Sequence, residues 1–108
     1  KDMIISGGFN VYSTEVERAL LDIEDVLLAA VIGVPDDKWG EAVAAFVKLV
    51  PQSNLDAQAI LKQARESLGG VKAPKQVTIV DDLPRTPVGK IDKKPLRAAS
   101  WAGMGRKI

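Results

Sequence analysis

This sequence contains no cysteine and no histidine among its 108 residues. The first absence removes any disulfide framework, and the two together remove the usual zinc ligands along with Cys–His and Ser–His–Asp machinery. An excess of one charge is also missing: fifteen basic residues stand against fourteen acidic ones, a net of +1, so no field favours DNA or a membrane surface. Aromatics make up only 5% of the chain. The basic tail formed by Lys93, Lys94, Arg97, Arg106 and Lys107 has only Trp101 beside it, where nucleic-acid recognition wants interleaved rings, and is expected to be a solvated face. No apolar run reaches the length of a membrane span, and no signal peptide is visible. This pattern favours small, specific ligands and is compatible with a cytoplasmic location. A chain of this length, 46% hydrophobic, makes one domain over residues 1–108 with a modest core.

Its most informative stretch is Leu83-Pro84-Arg85-Thr86-Pro87-Val88-Gly89-Lys90-Ile91-Asp92. The prolines fix φ near −65° at two points, and Gly89 removes any Cβ beside the lysine, so Lys90 is aimed rather than merely exposed. An ammonium on a flexible stem suits a site where negative charge builds on a carboxylate or phosphate oxygen. A second motif lies at the start, Lys1-Asp2-Met3-Ile4-Ile5-Ser6-Gly7-Gly8-Phe9-Asn10-Val11-Tyr12, followed by Thr14-Glu15-Val16-Glu17. Met3–Ile5 and Phe9–Tyr12 around Ser6-Gly7-Gly8 predict a β-hairpin with a glycine turn.

The remaining elements follow from periodicity. Ser13 or Thr14 can cap the helix that follows, Thr14 and Glu17 having capping-box spacing, and Val16, Leu20 and Ile23 share one face of a helix ending near Asp22. Val26 to Val34 and Ala42 to Val50 read as buried antiparallel strands joined by a Pro35-Asp36-Asp37 turn. Ser53 or Asn54 is expected to start a second helix, with Ile60, Leu61, Ala64 and Leu68 on one face and Gly69-Gly70 as its stop. Gln76 to Val80 supplies a third strand, and Asp92 can cap a last short helix that tolerates Pro95 in its first turn. Asp36, Asp37, Asp81 and Asp82 read as turn and strand-end residues, and no metal site is expected within the chain. The fold class is α+β: a small, mostly antiparallel sheet of about three central strands plus the N-terminal hairpin, covered by helices.

Together, the lysine loop and the glycine hairpin resemble two core motifs of the adenylate-forming superfamily, which includes acyl- and aryl-CoA ligases, peptide-synthetase adenylation domains and luciferases. The likeness spans essentially the whole chain and is strongest to the C-terminal domain of acyl-CoA synthetases. It implies activation of a carboxylic acid by ATP and Mg²⁺ to an acyl-adenylate, then transfer to the thiol of coenzyme A, with AMP and pyrophosphate as products. It further implies a larger N-terminal domain that holds the acid, the nucleotide and Mg²⁺. That domain is expected upstream of Lys1, and the piece alone is expected to be inactive.

Residue by residue, the resemblance makes Lys90 the adenylation cation and places Lys1 at the hinge of a rigid-body domain rotation. Gly7 and Gly8 match positions lining the pantetheine tunnel, where a side chain would block the thiol arm; read without the family, they are a hairpin turn. Lys75, in Val71-Lys72-Ala73-Pro74-Lys75, matches a phosphate contact for coenzyme A. Val71 departs from the usual aromatic residue there, which puts adenine stacking at that point in doubt, and Ala73 lacks a cation found in some relatives. Trp39 matches a position near the cofactor in some aryl-CoA ligases, or is a loop tryptophan packed on the domain edge. In related bacterial enzymes the lysine of this loop can be acetylated, so the resemblance makes Lys90 a candidate site for an acetyltransferase and deacetylase. Transfer to a carrier protein, a luciferase-like oxygenase without its hairpin lysine at Ile5, and a non-catalytic interaction module are the alternatives.

Overall fold

The computed structural model describes residues 3–102. The expected hinge residue Lys1 lies outside them, as do Arg106 and Lys107 of the basic tail. The described chain runs β1 (Met3–Ser6), β2 (Phe9–Tyr12), α1 (Ser13–Leu21), β3 (Val26–Asp36), β4 (Gly40–Leu49), α2 (Ala57–Leu68), β5 (Gln76–Ile79) and α3 (Lys94–Ala102). This is the α+β architecture that the sequence predicts, a mostly antiparallel sheet with three helices.

The centre is the β3–β4 pair, antiparallel from Val26↔Leu49 to Asp36↔Gly40. Both strands alternate their small and branched side chains between two buried faces. On one face Val31, Val43, Ala45 and Val47 pack with Val16 and Leu20 of α1 and with Ile60 and Ala64 of α2. On the other, Ile32, Val34, Ala42 and Ala44 are covered by Phe46 and by Leu96 of α3. The strands outrun the expected Pro35-Asp36-Asp37 turn. Pro35 and Asp36 pair with Glu41 and Gly40, which proline allows because β3 is the outermost strand and needs no N–H there. The turn is Asp37-Lys38-Trp39, held by the Asp36 carboxylate, whose Oδ1 accepts from Lys38 N at 2.8 Å and Trp39 N at 2.9 Å.

The opposite edge of β4 is divided. Gly40 pairs with Ser6 of β1 at one end, and Ala44–Val47 pair in parallel with β5 further along. Between them Lys75 N donates to Val43 O at 2.7 Å. A cleft opens where the hairpin and the segment before β5 diverge.

Two helix starts differ from expectation. No side chain caps α1, because the helix begins at Ser13 and leaves Tyr12 at its N-cap, and Glu17 is engaged elsewhere: its Oε2 accepts from Val31 N of β3 at 2.9 Å and pairs with Lys93 Nζ at 2.7 Å. Lys93 is therefore withdrawn from water and is not part of a solvated face. The start of α2 falls at Asp56, whose Oδ1 accepts from Ala59 N at 2.8 Å, and Ser53 instead donates to Asp25 Oδ2 at 2.8 Å. The start of α3 follows the sequence reading more closely, with Asp92 Oδ1 accepting from Lys94 N at 3.0 Å. At its far end the Trp101 indole donates to Gly33 O on β3 at 3.0 Å.

Candidate functional site

Lys90 sits on a small hairpin whose hydrogen bonds are nearly all internal. Gly89 N donates to Thr86 O at 2.9 Å, closing a β-turn with Pro87 at its second position, and Thr86 N donates to Lys90 O at 2.7 Å. Gly89 has φ +92°, a left-handed value that would strain a residue bearing Cβ. The Thr86 hydroxyl accepts from Lys90 N at 3.2 Å, Ile91 bridges Arg85, and Asp92 N donates to Pro84 O at 2.8 Å. Leu83 is buried at the base, while Val88 at the tip is 80% exposed. The result is a stiff, protruding finger with an exposed ammonium-bearing residue, and none of the described residues forms an ion pair with Lys90.

The second cluster occupies the cleft beside the divided edge of β4. A groove of about 270 Å³ is lined by Ser6, Phe9, Trp39, Gly70, Val71 and Lys75. Its floor depends on glycine. Gly7 and Gly8 have φ of +60° and +84°, the signature of a two-residue turn with both central residues left-handed. A Cβ on Gly7 would stand 2.5 Å from Trp39 Cε3, and Gly7 N donates to Trp39 O at 2.9 Å. The indole thus lies directly on the glycine turn. A Cβ on Gly8 would meet nothing within 4 Å.

Two ammonium groups flank the ring: Lys38 Nζ lies 5.0 Å and Lys75 Nζ 5.4 Å from its centroid, within cation–π range. Lys75 also donates to Gly70 O at 2.8 Å. Its pKa is pushed below the ordinary 10.5, first by burial and then by the Arg65 guanidinium, while Asp36 pulls the other way. A partly desolvated cation beside an aromatic face can take a phosphate oxygen and a flat heterocycle side by side.

Of the residues singled out from sequence, Gly7, Gly8, Trp39 and Lys75 come together and Lys90 stands apart. No residue of the Lys90 finger lines the groove. The groove is lined by Ser6 and Phe9 on either side of the glycine turn, whereas β2 leads at its other end into Ser13, whose Oγ accepts from Lys93 Nζ at 3.3 Å. Sequence reasoning overlooked Phe9, which lines the groove, and Lys38, whose ammonium lies over the Trp39 ring. Their signal was positional, one directly after the glycine pair and the other directly before the tryptophan.

Residues 15–90 match the family model described as the AMP-binding enzyme C-terminal domain. The chain belongs to that family. A medium/long-chain-fatty-acid–CoA ligase of Mycobacterium tuberculosis is 44% identical over 118 residues, covering 100% of this chain and 20% of the relative. A 2-succinylbenzoate–CoA ligase of Listeria monocytogenes is 45% identical over 96 residues, covering 89% of this chain and 20% of the relative. Among solved structures, ATP-bound MatB from Rhodopseudomonas palustris superposes with a TM-score of 0.88 at 40% identity, covering 92% of this chain and 20% of that one. The chain spans about a fifth of the length of these relatives, and its family membership bears out the resemblance drawn from its two motifs. Among the described residues, no helix is long and apolar enough to cross a membrane.

Proposed function

We propose that this chain is the mobile C-terminal domain of an ATP-dependent, AMP-forming acyl-CoA synthetase, working against a larger N-terminal domain. The observation that carries the reading is that two distinct tools stand on one small body: a stiff finger bearing Lys90, and an aromatic and cationic groove that no finger residue lines.

In adenylation a carboxylate oxygen attacks the α-phosphorus of ATP and pyrophosphate leaves, so two anions approach and charge shifts between oxygens. Lys90, held on a preorganised turn, offsets that repulsion as the charge moves. Mg²⁺ would accompany the nucleotide on the N-terminal domain. In the second half-reaction the coenzyme A thiolate displaces AMP from the acyl carbon. Here the groove takes the nucleotide end of coenzyme A, with Lys75 on phosphate and Trp39 against the base, while the Gly7-Gly8 turn leaves room for the pantetheine arm. One domain can serve both steps only by turning between them, with Lys1 as the hinge. Trp39 offers the flat face that Val71 cannot. Acetylation of Lys90 would remove its charge and stop the first step alone.

Lys90→Ala in the full-length enzyme tests the assignment. The rate of adenylation, followed by ATP–pyrophosphate exchange, should fall by about 10²–10³-fold. Thioester formation from preformed acyl-adenylate should be preserved. Adenylation persisting within a few-fold of wild type would sink the assignment.

A further inference from the structure

We propose that Glu17 and Lys93 are positioning residues for Lys90, an ion pair that sets the direction of the finger during adenylation. The proposal rests on the reading of Lys90 as the adenylation cation. Lys93 Nζ lies 2.7 Å from Glu17 Oε2, with side-chain exposures of 14% and 19%. The other ion pairs among the described residues are far wetter: Lys72–Glu15 at 44% and 45%, and Lys48–Asp82 at 32% and 61%. Withdrawal from water matters because an exposed pair gains little and holds little, whereas a desolvated pair with further hydrogen bonds resists rearrangement. Those further bonds are present. The same Glu17 Oε2 accepts from Val31 N at 2.9 Å, and Lys93 Nζ reaches Ser13 Oγ at 3.3 Å on a serine that is 1% exposed.

The pair is coupled to Lys90 by a short, fully bonded path. Ile91 is bridged to Arg85, Asp92 N is bonded to Pro84 O, and Asp92 Oδ1 accepts from Lys94 N. No residue between Lys90 and Lys93 is left as a loose joint. Leu83, 4% exposed, fixes the incoming arm, and Lys93 fixes the outgoing one to α1 and β3. Freeing one arm lets the finger pivot about the other. Because reacting groups must sit within a fraction of an ångström of productive geometry, such a pivot lowers the adenylation rate without changing what the lysine is. Neither Glu17 nor Lys93 lines the coenzyme A groove, so the thioester half-reaction is spared.

The experiment uses the full-length enzyme with Glu17→Gln, Lys93→Gln, Lys93→Arg, Lys90→Ala and the double variant Glu17→Gln/Lys90→Ala. In Glu17→Gln, kcat for adenylation should drop at least about ten-fold with the KM for ATP and acid nearly unchanged, and thioester formation from acyl-adenylate should stay within about two-fold. Lys93→Gln should behave alike and serves if Glu17→Gln does not fold. Lys93→Arg, which keeps the charge, should recover most of the rate. If Glu17 acts through Lys90, adding Glu17→Gln to Lys90→Ala should cost nothing more. Undiminished adenylation in folded Glu17→Gln or Lys93→Gln overturns the proposal. So does an equal fall in both half-reactions, failure of Lys93→Arg to restore rate, or an additive loss in the double variant. Adenylation that survives Lys90→Ala overturns the reading of Lys90 itself, and the positioning role with it.

Discussion

Replacing Gly7 by alanine should act through Trp39, and the effect can be separated from backbone strain by comparison with Gly8. Both glycines are left-handed, at φ +60° and +84°, so alanine at either position carries a conformational cost of about 1–2 kcal/mol. Only at Gly7 does the new methyl also meet something, Trp39 Cε3 at 2.5 Å and Cζ3 at 2.9 Å. Ordinary carbon contacts are about 3.5–4.0 Å, so the indole must retreat by about 1 Å. Trp39 is 37% exposed and its ring can move outward, which places the added cost near the low end of overpacking, about 1 kcal/mol. In a domain of this size each kcal/mol corresponds to about 4–8 °C in Tm. Gly8→Ala should therefore lower Tm by roughly 4–16 °C, and Gly7→Ala by roughly 4–8 °C more. Thermal unfolding of the isolated chain measures this directly. Emission of Trp39 in a Trp101→Phe background should shift for Gly7→Ala and stay fixed for Gly8→Ala. In the full-length enzyme, displacement of the ring should raise the KM for coenzyme A by about five-fold, the low end of what losing one stacked base costs. Equal Tm losses in the two variants, with Trp39 emission unchanged in both, would refute the claim that the glycine exists for the indole.

Two more outcomes follow from the same geometry. Lys75→Ala should raise the KM for coenzyme A several-fold and leave that for ATP alone, because Lys75 flanks Trp39 and is absent from the Lys90 finger; steady-state titration of each substrate checks it. Asp82 is held below its ordinary pKa of 3.8, chiefly by the Leu83 N–H and then by Lys48. Its folded form therefore binds protons less readily than the unfolded chain. The stabilising effect is complete above pH 3.8 and disappears as pH falls through the depressed folded value. Asp82→Asn should be slightly less stable than wild type near neutrality, with the two denaturation curves merging in acid below that point. As the carboxylate is mostly exposed, the difference should be small and should shrink in salt.

Much of this molecule could be read before any coordinate was known, and the exceptions share a cause. The Val26 and Ala42 runs declared themselves as strands because both of their faces are buried, which needs only local composition. The glycine hairpin did so because two consecutive glycines between β-formers have few other uses. What local reading misjudged was the destination of polar side chains. Glu17 stands three residues after Thr14, and by spacing alone it should cap α1; a backbone N–H of β3, fourteen residues further on, takes it instead. Lys93 belongs to a run of positive residues and looks solvated until α1 is folded beside it. In the site, Gly7, Gly8, Trp39 and Lys75 were each nominated separately by likeness to a family. That Trp39 rests on Gly7 needed the crossing of β1 with the end of β4, a contact between residues 32 positions apart in the sequence. Lys1 lies outside the described residues, and its hinge role remains a proposal.

The two side-chain bonds on the outer rim of β3 have a consequence for how this domain lives at high concentration. An eleven-residue border strand with unoccupied amides is a template on which another polypeptide can crystallise its own backbone. Here the Glu17 carboxylate takes the Val31 amide, and the Trp101 indole occupies the Gly33 carbonyl two residues along. Both bonds sit mid-strand. The flank of the sheet is thereby less open to a strand from a second copy of the chain.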